Sequence, residues 1–271
     1  MINCLVIYNI RTYENIKIMK ILNFYIILFS ILLGSDEISC DICKLAINNN
    51  YFKDAWGNKY HSYHKKDAHF CNTCSRIISV RLTRGGFQFN DGRYMCKLCE
   101  TSIIKTKEQR LNSMDFVVNL LNKKGIDISL DGIEVSLVDK KTLEESIIHL
   151  SNHNKETVKG ITILNNNKYR INILWGLTEL EFKSVLAHEL LHVWVDYNNI
   201  RLNEGKLEGL CNLGSALVYK YDNSQLSKIL LESMKNNNDP IYGKGYKYMD
   251  SMLEIHGWES LISILLKNNQ N

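Results

Sequence analysis

The feature that most constrains this chain is a series of paired metal-ligand side chains near its start. Six of the eight cysteines form three C-x-x-C pairs, and an H-x-x-H pair lies between the first two of them. A two-residue spacer lets both side chains of a pair reach one ion from a tight turn, so four pairs are enough for two tetrahedral zinc sites. The first set is Cys40, Cys43, His61 and His64, and the second set is Cys71, Cys74, Cys96 and Cys99.

Other interpretations of the cysteines are weaker. Disulfides suit a secreted chain, but three equal pairs with a histidine pair between them favour metal. A redox-active C-x-x-C is expected once, in a βαβ context, and not in a series. His69 lies near Cys71 and is an alternative to His64 as a ligand. Between the cysteine pairs, residues 81–89 and Tyr94 predict short strands around a Gly85-Gly86 turn.

The spacing of these pairs resembles that of a LIM domain, a small module with two zinc ions. The chain differs from the usual pattern at His64, where cysteine is common, and in the longer gap between His64 and Cys71. The resemblance implies two structural zinc ions and a protein partner bound through this module, without a catalytic role for it.

An apolar run over residues 21–33 follows Met19-Lys20 and precedes Gly34-Ser35. At about 13 residues the run is short for a membrane span, which needs about 20, and it suits the core of a signal peptide. Met19 is then a candidate start. A buried helix or a membrane anchor is the alternative, so the localisation stays open: secreted or periplasmic after cleavage, cytoplasmic or membrane-anchored without it. Membrane association is expected only if the segment is uncleaved.

The middle of the chain shows the periodicity of regular elements. Apolar spacing predicts helices over residues 107–123 and 142–150 and a strand over residues 133–138. Residues 158–164 and 168–175 predict a β-hairpin, because the three asparagines between them tolerate positive φ in a turn. We interpret residues 170–175 as an edge strand that could pair with an extended substrate, with an ordinary edge strand as the alternative.

The most specific motif follows this hairpin. Thr178 and Glu181 form a capping box that opens a helix predicted to run to about Tyr197. This helix contains an H-E-x-x-H motif, His188 to His192. Residues four apart lie on one helix face, so both imidazoles point at the same ion, and Glu189 can reach a metal-bound water.

A catalytic zinc ion needs a third protein ligand and an open position for water. Asp196 lies on the same helix about 12 Å further along the axis than His188, which is too far for one ion to bridge. Glu204 and Glu208 lie on the next predicted helix, residues 203–221, which can fold back antiparallel. We favour Glu208, because it is one turn deeper and precedes the small Gly209; Glu204 is the alternative or a partner for a histidine.

Two segments, LAHELLHVW over residues 186–194 and LEGLCN over residues 207–212, resemble the gluzincin-type peptidase domain of the plant DA-one family. Members of that family are LIM-containing, ubiquitin-activated peptidases. The resemblance implies His188, His192 and Glu208 as zinc ligands, Glu189 as the general base, and a protein or peptide as the substrate. The apolar segment stands where the plant proteins have ubiquitin-interacting helices, so activation by ubiquitin is not implied.

The sequence also offers three candidate donors to the oxyanion of peptide hydrolysis: Tyr242, Tyr246 and His256. Side chains of these types more often pack in a core or cap a helix than donate to an oxyanion. Cys211, close to Glu208 in the sequence, is interpreted as a small core residue.

Together these features predict an α+β protein with three parts. Residues 1–38 are a signal-like or anchor segment, residues 39–104 a LIM-like two-zinc module, and residues 105–271 a mostly helical gluzincin-type zinc peptidase domain with a small β-sheet. The expected cofactors are one catalytic and two structural zinc ions. The net charge of +4 is too small to indicate a protein dedicated to nucleic-acid binding. The alternative function is a non-catalytic, zinc-dependent interaction protein with a degenerate peptidase fold.

Overall fold

The computed structural model describes residues 38–66, 68–148, 158–165 and 168–267. The predicted signal-like segment lies before residue 38, outside the described residues. The described residues divide into two compact units: one runs to Phe52 and includes Lys59–Lys65, and the other consists of Lys53–Asn58 and the described residues after Lys65. The first Cys/His set belongs to the first unit, and the four-cysteine set and the H-E-x-x-H motif belong to the second. The domain boundaries drawn from the sequence stay a prediction.

The first unit is built on a tight turn and short elements. Strand β1 (Tyr51–Lys53) and strand β2 (Lys59–His61) form a two-stranded sheet, and a 3₁₀ helix (Ser62–Lys65) follows. The backbone N–H of Lys44 donates to the carbonyl of Cys40 at 2.7 Å, which closes the turn of the first cysteine pair. The Asp41 carboxylate accepts the backbone N–H of Lys59 at 2.8 Å and so ties this turn to β2.

The second cysteine set lies among equally short elements. These are α1 (Val80–Thr83), β3 (Gly86–Gln88), β4 (Tyr94–Cys96) and α2 (Lys97–Glu100), with β3 and β4 antiparallel. The prediction of strands over residues 81–89 was therefore wrong for its first half. Ser79 caps a helical turn there by accepting the Leu82 N–H, and Arg84 ends it with φ of 59°. The hairpin turns at residues 90–92, where Phe89 N–H donates to the Arg93 carbonyl at 2.8 Å, and not at Gly85-Gly86.

The rest of the chain combines helices with one three-stranded sheet, which confirms the predicted α+β class. None of the helices in the described ranges is both long enough and apolar enough to cross a membrane. In chain order the elements are α3 (Lys107–Asn122), β5 (Ile133–Val138), α4 (Lys140–Ile148), β6 (Gly160–Asn165), β7 (Lys168–Leu174), α5 (Glu179–Tyr197), α6 (Glu204–Asp222), α7 (Gln225–Asn236) and α8 (Tyr242–Lys267), the last interrupted at Gly257.

The strand order of this sheet is β5-β7-β6, with β5 parallel and β6 antiparallel to β7. The interpretation of residues 170–175 as an edge strand was therefore wrong, because β7 is the central strand. Local alternation could not reveal this, since the parallel partner β5 pairs with β7 only after a long crossover. The strand at the edge, on the side of the hairpin, is β6.

Helix α5 forms the centre of the core. Its leucines 186, 190 and 191 are fully buried, and burial of each such side chain stabilises the fold by about 1.5–3 kcal/mol. Helix α6 packs antiparallel on α5, with the Ser215 hydroxyl donating to the Ser184 carbonyl at 2.8 Å. On its other side α6 crosses α8 at Gly209, where a Cβ would lie only 2.2 Å from the Gly245 carbonyl oxygen. The close packing expected at Gly209 is thus observed, but against α8.

Candidate metal centres and active site

The first set of donors converges on one point. The ligand atoms of Cys40, Cys43, His61 and His64 all lie within 4.8 Å of one another. Nε2 of His61 donates to the Ala46 carbonyl at 3.1 Å, so Nδ1, which is 3.5 Å from the Cys43 sulfur, is the unprotonated nitrogen that faces the cluster. Nε2 of His64 is buried and finds no hydrogen-bond partner among the described residues. A buried orphan nitrogen of this kind fits a metal ion.

The second set of donors consists of four buried thiols within 4.8 Å of one another. The pKa of Cys71 is lowered because the other three thiols hydrogen-bond to its sulfur. Hydrogen bonds with the other thiols raise the pKa of Cys99. All four sulfurs can be thiolates together only with a cation between them, and a tetrahedral Cys₄ set suits zinc. The members of this set are Cys71, Cys74, Cys96 and Cys99.

A third group of donors lies between helices α5 and α6. His188 and His192 are four residues apart on α5, and their Nε2 atoms are 3.2 Å apart. Glu208 on α6 faces both imidazoles: Oε2 lies 3.3 Å from His188 Nε2, and Oε1 lies 3.6 Å from His192 Nε2. The antiparallel packing of the two helices thus brings together the three residues proposed as ligands from the sequence.

Asn212, a residue without a role in the sequence analysis, orients His188. Its Nδ2 donates to the Tyr242 carbonyl at 3.4 Å, which leaves Oδ1 to accept from His188 Nδ1 at 3.1 Å. In its neutral form His188 therefore carries its proton on Nδ1 and turns an unprotonated Nε2 toward Glu208, whereas the hydrogen bond from Nε2 to Glu208 forms only in the charged imidazolium. The only signal in the sequence was the position of Asn212 one helical turn after Glu208, on the same face of α6.

The protonation of the two imidazoles differs. Burial lowers the pKa of His192 to about 4, and the charge of His188 adds to this effect. Burial also acts to lower the pKa of His188, but its hydrogen bond to Glu208 and the charges of Glu189 and Glu208 outweigh burial, so this pKa is raised. His192 is consequently neutral near pH 7, which is the form of an imidazole that binds metal.

Glu189 lies beside this group with only 5% of its surface exposed. Burial raises the pKa of its carboxyl, while the charge of His188 and a hydrogen bond from Thr162 act in the opposite direction. The Thr162 hydroxyl, on strand β6, donates to Glu189 Oε2 at 2.8 Å. No local pattern of residues indicates this contact, because the position of β6 against α5 is a tertiary feature.

Cys211 is a buried core residue, as expected, and its side chain also lines the site between α5 and α6. Its sulfur lies within 4.8 Å of the ligand nitrogens of His188 and His192. The three donor atoms of this group lie close to one another, whereas Glu208 approaches His188 through Oε2 and His192 through Oε1. The thiol is fully buried, and burial raises its pKa well above the usual value.

The weaker alternatives from the sequence lie elsewhere. Asp196 is exposed and accepts a hydrogen bond from the Tyr169 hydroxyl at 2.8 Å. His69 stacks on Tyr94, with ring centroids 3.9 Å apart, and is not in either cluster of cysteines. Glu204 is exposed in the first turn of α6.

Of the three candidate oxyanion donors, Tyr242 adjoins the site. Burial raises its pKa, and the charges of Glu208, Glu204 and Glu189 contribute. Tyr246 is a core side chain that is 1% exposed, and His256 is exposed on α8 near the break at Gly257.

This α+β chain has groups of side chains that can hold metal ions, and its Cys/His sets are compatible with a LIM-like zinc module. The chain is similar to Protein DA1 of Arabidopsis thaliana, with 25% identity over 231 residues. The similar region covers 69% of this chain and 42% of DA1, so the chain spans less than half the length of that relative. This confirms, as a distant similarity, the resemblance found in the sequence. No protein-family model and no solved structure matches the chain.

Proposed function

We propose that this chain is a zinc metallopeptidase that hydrolyses peptide bonds within protein substrates. The observation that carries the proposal is the approach of the Glu208 carboxylate to Nε2 of both His188 and His192, at 3.3 and 3.6 Å, with the buried Glu189 carboxylate beside them. Two imidazoles and one carboxylate are a ligand set typical of catalytic zinc, because they leave a position open. The distant similarity to DA1 and the LIM-like spacing of the cysteines support the same assignment.

The residues of the site have distinct tasks in this proposal. His188, His192 and Glu208 would hold a zinc ion, which would supply a Lewis acid to polarise the scissile carbonyl and to make water more acidic. Glu189 takes one proton from the attacking water and passes it to the leaving amine, while the water oxygen bonds to the carbonyl carbon and the C–N bond breaks. Tyr242 is the proposed donor to the oxyanion.

Strand β6 is the proposed site for the substrate backbone. Within the described sheet it is an edge strand, paired with β7 on one side only. An extended peptide can add to such an edge through main-chain hydrogen bonds, which give affinity with little sequence choice. Two structural zinc ions in the Cys/His sets would support the LIM-like module, which we propose recruits a protein partner.

Replacement of Glu189 by Gln tests the proposed function. We expect Glu189→Gln to retain its zinc, measured by atomic emission, and to lose hydrolysis of fluorescein-labelled denatured casein, because Gln cannot accept the proton. His188→Ala should lose both the zinc of this site and the activity. Undiminished hydrolysis by Glu189→Gln would show that the assignment of the base is wrong.

One observation favours the non-catalytic alternative. If Cys211 joins His188, His192 and Glu208, the site holds four protein ligands, and a closed site of this kind is structural. The Cys211→Ala variant separates the two functions. A catalytic site keeps its zinc and its activity in this variant, whereas a closed structural site loses zinc and shows no hydrolysis before or after the change.

A further inference from the structure

Two residues of the edge strand β6, Thr162 and Gly160, lie beside the carboxylate of Glu189. The Thr162 hydroxyl donates to Oε2 at 2.8 Å and is also 3.1 Å from the Glu189 backbone carbonyl. A hydroxyl has one hydrogen, and the bond to a carboxylate oxygen is the shorter and stronger one.

Gly160 lies on the same face of β6, two residues before Thr162. A Cβ at this position would be 2.8 Å from Glu189 Oε1 and 2.5 Å from a methyl group of Val185. The missing side chain therefore leaves room for Oε1 beside the strand. Among the described residues, Oε1 accepts no hydrogen bond.

We propose that Thr162 is the positioning residue of the general base: its hydroxyl holds Glu189 Oε2, so that Oε1 is the oxygen that takes the proton. A glutamate side chain has three rotatable bonds, and a small misplacement of a catalytic group costs a large factor in rate. A hydrogen bond from a β-strand removes that freedom. The inference rests on the proposed function and adds that the strand offered to the substrate also orients the base.

The test compares Thr162→Val with Thr162→Ser. Valine has the shape of threonine and suits a strand but lacks the hydroxyl, whereas serine keeps it. We expect Thr162→Val to lower kcat by about tenfold to a hundredfold with unchanged KM, because the bound peptide is unaffected and only the orientation of the base is lost. Thr162→Ser should stay within about threefold of the wild-type kcat. Zinc content and the melting temperature show that each variant is folded and loaded.

Two further variants sharpen the result. Thr142→Val removes a hydroxyl from an exposed position on α4 and should leave kcat unchanged. In a Glu189→Gln background, Thr162→Val should cause no additional loss, because the group that it orients is already absent.

Three outcomes would overturn the inference: wild-type kcat in Thr162→Val, an equal loss of kcat and melting temperature in both Thr162 variants, or an additive loss in the Glu189→Gln background. These outcomes are distinct from failure of the proposed function, in which Glu189→Gln itself is as active as the wild type.

Discussion

Asn212 determines which nitrogen of His188 faces the other two proposed ligands. Its amide is itself oriented by the carbonyl of Tyr242, so the chain of contacts runs from α8 through α6 to α5. Removal of such a partner typically costs 10–100-fold in metal affinity, because the ligand ring loses both its tautomer and its orientation.

We therefore expect Asn212→Ala to weaken zinc binding at the His188 site by about 10–100-fold. The measurement is a competition titration against a chromophoric chelator, at fixed pH. Asn212→Asp is the matched control, because its carboxylate also accepts from Nδ1 of His188, and it should retain most of the affinity. If alanine and aspartate bind zinc equally well, Asn212 does not orient the ligand.

The difference between local and tertiary features determines how much of the site the sequence could predict. His188, Glu189 and His192 lie within one helix, and the period of the helix alone places the two imidazoles together. Glu208 could be proposed because a short turn returns α6 antiparallel to α5. Thr162 makes its contact only because β6 packs beside α5, and no local pattern indicates that placement.

At the scale of elements, the position of Glu208 depends on how closely α6 approaches α8. Gly209, the next residue, has its Cα so near the Gly245 carbonyl that a Cβ would lie 2.2 Å from the oxygen. The two helices would have to separate to admit a methyl group, and α6 would then move relative to α5.

Gly209→Ala should therefore destabilise the protein by about 1–3 kcal/mol, the usual cost of overpacking a core. The measurement is the free energy of unfolding in urea, with zinc present in excess. A decrease in the free energy of unfolding would identify the clash as its cause, because alanine in a helix without a clash is about 1 kcal/mol more favourable than glycine.

Gly205→Ala is the matched control on the same helix. A Cβ at Gly205 would meet no atom closer than 4.0 Å. This variant should be neutral or slightly more stable than the wild type. A Gly209→Ala protein as stable as Gly205→Ala would mean that the crossing is looser than the structure indicates.

In the three-stranded sheet, local patterns predict the strands but not their order. The hairpin of β6 and β7 and the strand β5 follow from alternation and from a turn rich in asparagine. Their order does not, because β5 reaches β7 from a separate part of the chain and pairs in parallel. The helical turn at residues 80–83 was missed for a different reason: Ser79 acts as an N-cap within an apolar stretch that also suits a strand.

At the scale of the whole molecule, the four-cysteine set is joined to the helix that carries the H-E-x-x-H motif. Within the second unit, the Arg93 guanidinium donates to the Trp175 carbonyl at 2.8 Å, and Phe89 packs edge-on against the Trp175 ring at 5.6 Å. The backbone adds to this, since Glu179 N–H at the start of α5 donates to the Ser102 carbonyl at 2.7 Å. Loss of metal from the four-cysteine set should therefore also destabilise α5.

Removal of one cysteine ligand tests this connection. A structural zinc site contributes on the order of 10 kcal/mol to the folding of a small module, so Cys71→Ser should release zinc and disorder the β3–β4 hairpin. We expect a clearly lower melting temperature, since each kcal/mol corresponds to about 2 °C in a protein of this size, and weaker casein hydrolysis. His188→Ala should instead abolish hydrolysis with a smaller change in melting temperature, since the packing of α5 stays intact.

Zinc counts give the third readout: about three ions per chain in the wild type and about two in each variant. A Cys71→Ser protein that lost its zinc but kept the wild-type melting temperature and activity would show that the cysteine set and α5 are energetically independent.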